Sequence, residues 1–249
     1  MYKPNNVFYI NQLLKNTETS WDLNQYSAIS APEGWISSYA VSHDHQFIFI
    51  SNVNSNNKKG SIFVYKRVGD TFSWVSYDEQ PKIDGNIADV DFGGFLKIDA
   101  DNNLIVSSSL YDHDGFTNSG ALTTLVFNKT SKIWEHKQII TLDTPSDNAT
   151  LGKGGYNAHS GTQWAMSPSG KYLILNKSNE DIQVDGYEIW MKNNSGIYEF
   201  TFNLKDVEDL DVNLPNSTAN TNDKNMYSSI SDEGNIVIGG RNIFFFRGK

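Results

Sequence analysis

Hydrophobic and polar positions follow one pattern that recurs four times along the chain. In each copy an apolar residue precedes five turn-rich residues, and a run of apolar residues follows. The copies are Val41–Phe49, Ile98–Val106, Met166–Ile174 and Ile230–Ile238. Apolar segments on either side of a short bend containing Asp, Asn, Ser or Gly are typical of β-hairpins. Each copy therefore predicts a strand, a tight turn and a buried strand.

The segments that follow each hairpin repeat as well. A third strand is predicted at 61–65, 122–127, 187–191 and 243–246. A fourth strand is predicted to begin near an aromatic residue at Trp74, Trp134 and Tyr198. The fourth copy ends before a fourth strand, but Trp21 lies in an amino-terminal segment with the composition of that missing strand. We therefore interpret these four aromatic residues as structural packing residues of the repeat.

The spacing of the repeats predicts a closed ring. We call the first residue of each copy its anchor: Val41, Ile98, Met166 and Ile230. Successive anchors are separated by about 57, 68 and 64 residues, and the step from Ile230 off the end and back to Val41 is about 60 residues. Wrap-around regularity of this kind is typical of a β-propeller, whereas a solenoid has no reason to show it. We expect an all-β fold, a small propeller of four blades with four antiparallel strands each. The whole chain, 1–249, forms one domain, and its N-terminal segment completes the last blade.

Two terminal segments compete for one place in that ring. Residues 7–10 resemble a third strand preceding Trp21, and residues 243–246 claim the same position. One of them is then an outer strand or an extra clasp. Helix is expected only as a turn at 11–15 and as a short helix or acidic loop at 205–212.

Composition narrows the possible functions. The 249 residues include 20 Lys and Arg against 29 Asp and Glu, which gives a net charge of −9 and argues against binding to nucleic acid or to an anionic membrane. The absence of Cys excludes disulfides, thiolate zinc sites and thiol nucleophiles. No apolar run is long enough to span a membrane, and the amino terminus does not resemble a signal peptide. We expect synthesis in the cytoplasm and incorporation into a virus particle.

The second copy carries a more specific signature. It contains Phe92-Gly93, the strand 104–106, the acidic loop 111–115, Asn118-Ser-Gly120 and Trp134. This blade resembles the FG-GAP repeat, the propeller blade of integrin α-chains and of many bacterial and viral proteins, while the other three copies match only the architecture. The resemblance implies a binding scaffold more often than a catalyst, one that presents loops from one face to a protein or glycan. In some members of the family the acidic loops hold calcium.

The acidic loop is the candidate metal site. Asp112 and Asp114 are two residues apart, Gly115 permits a sharp bend, and Asn118 follows. Alternating oxygen ligands at a turn suit a hard cation such as Ca²⁺. The alternative is a solvated turn whose side chains bond to the backbone. No other cofactor is expected.

Trp35 is the candidate for partner binding. It lies in a predicted connection between blades, where an exposed Trp can stack on a sugar or anchor a protein interface, although it can equally be a wedge between blades. Catalytic motifs are absent from the sequence. We therefore expect a non-enzymatic binding or structural scaffold, such as a phage tail, fibre or capsid-surface protein acting in attachment or assembly. The alternative is a carbohydrate-binding or carbohydrate-hydrolysing propeller with carboxylates drawn from distant blades.

Overall fold

The chain folds almost entirely into antiparallel strands. In this computed structural model the described residues are 7–15, 21–30, 36–69, 71, 73–88, 90–149, 151, 164–178, 184–206, 227–239 and 243–247. Within them lie eighteen strands, one helical turn at Ser55–Lys58 and one 3₁₀ turn at Leu204–Asp206. None of these short helical segments is long and apolar enough to cross a membrane.

Four successive sheets follow the four repeats. Sheet 1 contains β3 (Ser38–Val41), β4 (Phe47–Asn52), β5 (Ser61–Arg67), β6 (Trp74–Ser76) and β7 (Lys82–Asp84). Sheet 2 contains β8 (Leu96–Ile98), β9 (Leu104–Ser108), β10 (Ala121–Asn128) and β11 (Ile133–Ile140). Sheet 3 contains β12 (Trp164–Met166), β13 (Tyr172–Ser178), β14 (Val184–Lys192) and β15 (Tyr198–Asn203). Sheet 4 contains β16 (Tyr227–Ile230), β17 (Ile236–Gly239) and β18 (Ile243–Phe246). The predicted all-β repeat is confirmed.

The fourth strand of sheet 1 is split into two pieces. Both β6 and β7 pair with β5, β6 along Tyr65–Arg67 and β7 along Ser61–Phe63. Pro81 stands between them and cannot donate a ladder hydrogen bond, although its carbonyl oxygen accepts one from the Val64 N–H at 3.0 Å. Sheet 1 therefore has five strands where four were expected.

The turn after the first strand is built in the same way in every sheet. The residue that follows the anchor uses its side-chain oxygen to accept backbone N–H groups across the bend; these residues are Ser42, Asp99, Ser167 and Ser231. Three positions later the backbone has positive φ, at His45 (56°), Asn102 (65°), Gly170 (70°) and Gly234 (81°). These are the side chains and conformations of Asx and Ser turns. The recurring bend seen in the sequence thus has one physical basis.

The sheets pack face to face in chain order. Each central strand of sheets 1 to 3 alternates its side chains between two neighbours, as a strand of period two must. In β4, Phe47 and Phe49 pack against sheet 2, while Ile48 and Ile50 pack against Ile29 of β2. Sheets 2 and 3 share a second core, and sheets 3 and 4 share a third. The described residues therefore form a stack of four sheets with a hairpin on its first face.

The amino-terminal segment differs from the expectation in two respects. Residues 11–15 do not form a helical turn but belong to β1 (Val7–Lys15), which pairs with β2 (Trp21–Ser30) over its whole length. This N-terminal hairpin is a separate two-stranded sheet, and the ladders of the described residues do not join it to sheet 4. The predicted pairing of the Trp21 strand with the sheet containing Ile236 and Phe245 is therefore not observed among the described residues, where β2 pairs with β1 through one of its two edges.

The N-terminal hairpin nevertheless has the same bulge position as the outer strand pairs of sheets 2 and 3. In β2 the aromatic Trp21 opposes Lys15, two further pairs follow, and the next residue, Asn24, is bulged. In the β10–β11 pair the bulge lies three residues after Trp134, and in the β14–β15 pair it lies three residues after Tyr198. The hairpin therefore resembles the third and fourth strands of sheets 2 and 3.

Candidate functional site

Polar side chains join neighbouring sheets at the repeated turns. Asn102 of sheet 2 donates its amide N–H to Asp44 of sheet 1 at 3.0 Å. Between sheets 3 and 4, the Ser169 N–H donates to the Asp232 carboxylate at 3.0 Å, and the Ser169 hydroxyl donates to it as well. These two hydrogen bonds hold the pKa of Asp232 below its usual range.

The turn of sheet 2 contacts the end of β14 in sheet 3 through a buried ion pair. Lys192 Nζ lies 2.7 Å from Asp99 Oδ2, and the Asp99 side chain is only 2% exposed. Asp99 also accepts the N–H groups of Asp101 and Asn103, so its oxygens are fully engaged. The Asp99 turn is therefore a structural junction, in agreement with its interpretation as a turn.

A second set of contacts joins the outer strands. The Gln80 side-chain amide pairs with both backbone groups of Trp134: the Trp134 N–H donates to Oε1 at 2.7 Å and Nε2 donates to the Trp134 carbonyl at 3.1 Å. Gln138 pairs with Tyr198 in the same way, at 2.8 Å for both bonds. We call these two arrangements the glutamine clamps. Each pairs with the backbone of an edge strand, β11 or β15, where the described residues provide no further strand.

Of the repeat aromatics, Trp134 and Tyr198 are buried, and the polar group of each ring donates a hydrogen bond to the turn of its own sheet. Trp134 Nε1 donates to the Asn102 carbonyl at 2.8 Å, and the Tyr198 hydroxyl donates to the Gly170 carbonyl. Trp74 opens β6 and packs against the core between sheet 1 and Ile29. Trp21 opens β2, and its side chain lies outside what the structure describes. Burial first, and the charge of Asp99 second, raise the pKa of Tyr198 far above its usual value.

The acidic loop forms a compact polar bend. Asp112 accepts the Asn118 N–H at 2.8 Å, and Asp114 lies 3.1 Å from His113 Nε2. Both Asp side chains have exposed positions, and Asp114 and Asn118 adopt positive φ. No cluster of three His, Asp or Glu side chains suited to a metal ion occurs in the described part of the chain. The geometry matches the turn alternative, and calcium binding by Asp112, Asp114 and Asn118 stays a prediction.

This loop is docked on the connection that follows sheet 2. The Thr117 N–H donates to Asp147 at 2.8 Å, and the Asn118 amide donates to Asn148 at 3.2 Å. Gly120 has φ of 81°, and a Cβ atom there would lie 2.3 Å from the Leu151 nitrogen, so this close approach requires glycine. The Asn-Ser-Gly element of the sequence is thus explained by loop packing.

One cluster was not recognised in the sequence. Lys97 on β8 points into the interface between sheets 2 and 3, where its Nζ lies 5.1 Å from the centre of the Trp164 ring and 6.0 Å from that of Phe95. The two rings meet edge to face at 6.1 Å. Burial lowers the pKa of Lys97. The three residues come from two different repeats, so no local pattern in the sequence brings them together.

Trp35, the candidate for partner binding, lies outside the described residues, as do residues 207–212 of the predicted helix or acidic loop. Neither interpretation is tested.

Comparison with known proteins gives structural likenesses only. No family model matches the chain, and no curated protein matches it in sequence. Among solved structures, "a putative 6-phosphogluconolactonase" from Bacteroides fragilis matches with a TM-score of 0.53 and 12% identity over 85% of this chain and 50% of that one. A second structure with the same description, from Bacteroides uniformis, gives 0.49 and 18% over the same shares. The Dos1 propeller gives 0.47 and 12% over 89% of this chain and 47% of that one.

These matches correct one expectation. The chain spans about half the length of the solved structures that it matches. At 12% identity the Bacteroides fragilis likeness shows the fold alone, but that structure carries the name of an enzyme. The expectation that this chain is not an enzyme is therefore wrong. That expectation was inferred from the fold, and this arrangement of sheets does not exclude catalysis.

Proposed function

We propose that the protein is a four-bladed β-propeller that binds partners as an attachment or assembly component of a larger particle, such as a virus particle. The four sheets in chain order, each fastened to the next at the turns, support the propeller. The FG-GAP resemblance of sheet 2 is consistent with it: buried Phe92 packs in the core between sheets 1 and 2, and the Gly93 carbonyl accepts the Ser51 hydroxyl at 2.6 Å.

The single observation that carries the assembly role is the state of the two terminal sheets. In sheets 1 to 3 the third strand pairs on both edges, whereas within the described residues β18 pairs only with β17 and β1 only with β2. Open edges of this kind recruit further strands. We propose that β2 lies beside β18 as the fourth strand of sheet 4 and closes the ring, with β1 as an outer strand whose remaining edge is open to a partner.

Closure is testable by cross-linking because the chain has no native Cys. We would place one Cys in β2, at Asp22 or Asn24, and one in β18, at Ile243 or Phe245, and oxidise the protein. The Val237→Cys and Phe245→Cys pair, directly opposed within sheet 4, is the positive control. Disulfide-linked monomers would support closure. Linked dimers would show that two copies exchange hairpins, and failure of every test pair beside a working control would contradict closure.

The assembly role is tested by sedimentation. Extracts of the organism that makes the protein would be separated by size, and the protein located with an antibody. We expect it in a fast-sedimenting particle. Recovery only as a free monomer would contradict the proposal.

A carbohydrate-binding or carbohydrate-hydrolysing propeller is the second candidate. The enzyme name on the Bacteroides fragilis fold and the cation-and-aromatic cluster of Phe95, Lys97 and Trp164 favour it. Specific binding of the monomer on a glycan array would support this candidate over assembly.

A further inference from the structure

The position of Lys97 is exceptional among the four repeats. It immediately precedes the anchor residue and points toward the next sheet. The equivalent positions hold Ala40, Ala165 and Ser229, and both alanines are buried in the corresponding interfaces. A small residue therefore suffices to pack this position elsewhere. A long cation here is not required by the blade architecture.

Lys97 also has no counter-ion. No acidic side chain within the described ranges lies in salt-bridge or hydrogen-bond distance of its Nζ, although the chain as a whole carries nine more acids than bases. Its neighbours are the faces and edges of two aromatic rings, which stabilise a cation only in part. Even a half-buried ammonium group is destabilising when no anion lies beside it.

A second, independent group in the same interface is unsatisfied. Trp164 is fully buried, and its Nε1 has no hydrogen-bond partner among the residues that the structure describes. Buried indole N–H groups ordinarily find an acceptor, as Trp134 does at the Asn102 carbonyl. The ring that carries this free donor is the one over which Lys97 lies. One oxyanion with two oxygens can accept from the indole and neutralise the ammonium.

We infer that Lys97 and Trp164 form a binding site for a small oxyanion, a phosphate or carboxylate group, between the inner strands of sheets 2 and 3. Phe95 forms an apolar wall of the site. Lys97 and Phe95 are half-buried whereas Trp164 is fully buried, so the anion enters from the side of Lys97 and Phe95 as the flexible lysine stem moves. The site stands independently of the proposed assembly role.

The test follows the indole N–H directly. Six Trp residues give a small set of indole cross-peaks in a ¹H–¹⁵N spectrum, and the Trp164→Phe variant assigns the relevant one. Inorganic phosphate, acetate, glucose 6-phosphate and glucose would be titrated at constant ionic strength. We expect phosphate or acetate to shift the Trp164 cross-peak saturably and glucose not to shift it. Tighter binding of glucose 6-phosphate than of phosphate would identify a sugar-borne group.

Variants separate the site from general charge effects. Lys97→Met should weaken binding about tenfold or more, because a charge-assisted hydrogen bond is lost, while Lys97→Arg should stay within a few-fold. Lys171→Met is the matched control, since Lys171 lies 4.6 Å over the Tyr172 ring at an exposed position. Phosphate should also raise the melting temperature of the parent protein but not of Lys97→Met. A Trp164 cross-peak that no anion moves, or equal binding by Lys97→Met and Lys171→Met, would overturn the inference.

Discussion

The interface between sheets 1 and 2 and the interface between sheets 2 and 3 are built from the same repeated strands, but they differ in the surroundings of the central Trp ring. In the first, the Trp134 ring lies 4.5 to 5.1 Å from the rings of Phe127, Phe49 and Phe47, and its N–H is satisfied. In the second, the Trp164 ring meets Lys97, and its N–H has no acceptor within the described part of the chain. Both interfaces have a glutamine clamp. The comparison teaches that one repeat can build an aromatic contact whose polar group is satisfied and another whose polar group is not.

The largest expected effect tests the apolar interface. Trp134→Ala should destabilise the protein by about 3–5 kcal/mol, because a fully buried indole and its aromatic contacts are removed. Urea unfolding measures the loss. Trp134→Phe, which retains an aromatic ring but loses the N–H, should cost less. An effect of Trp134→Ala below that of Trp134→Phe would contradict the assignment of this ring as the centre of the core.

The glutamine clamps should give the next largest effect, and equally at both interfaces. Gln80→Ala and Gln138→Ala each leave one backbone N–H and one carbonyl without their partners, at a cost of about 1–3 kcal/mol each. Equilibrium unfolding measures the free energy of unfolding of the two variants and compares their losses. If Gln138→Ala were neutral while Gln80→Ala were destabilising, the two interfaces would differ in their outer strands as well as in their inner ones.

Alkaline pH should weaken the part of the core that depends on sheet 3. Burial raises the pKa of Tyr187 and Tyr198, so the unfolded chain loses these protons at about pH 10 while the folded chain keeps them. The contribution of both groups is present below that pH and is lost as the pH rises further. The urea midpoint should therefore fall between pH 9.5 and 11, as approximate limits. In Tyr198→Phe this fall should be shallower, and an unchanged slope would contradict the role of Tyr198.

The smallest effect concerns Lys97. Because burial lowers its pKa, the unfolded chain holds this proton more tightly than the folded one, and the charge opposes folding near neutral pH. Lys97→Met should raise the urea midpoint modestly at pH 7 and remove part of the rise in stability as the pH approaches the ordinary lysine pKa. Lys171→Met serves again as the control. A lowered midpoint in Lys97→Met would show that the cation stabilises the interface.

Much of this architecture could be predicted from local pattern. The bends at Ser42, Asp99, Ser167 and Ser231 are encoded in short segments, so the hairpins and third strands were accessible from the sequence. The division of the fourth strand at Pro81 and the β1–β2 pairing depend on which edges are free, which no local pattern specifies.

The candidate site was less accessible. The Lys97–Trp164 contact joins residues 67 positions apart in two repeats, and the glutamine clamps span 54 and 60 positions. Aligning the four repeats would have shown Lys97 where the others have Ala or Ser, but not what it faces. The acidic loop shows the opposite case: its residues were conspicuous, and in the structure Asp112 bonds to the backbone of its own bend.

The glutamine clamps also have a direction. Gln80 of sheet 1 bonds to the Trp134 backbone in sheet 2, and Gln138 of sheet 2 bonds to the Tyr198 backbone in sheet 3. The glutamine therefore always belongs to the earlier sheet. A chain emerging from the ribosome would contain each glutamine before the strand to which it binds is made. The order of synthesis and the order of docking then coincide, so the sheets can be added one at a time as the chain is made.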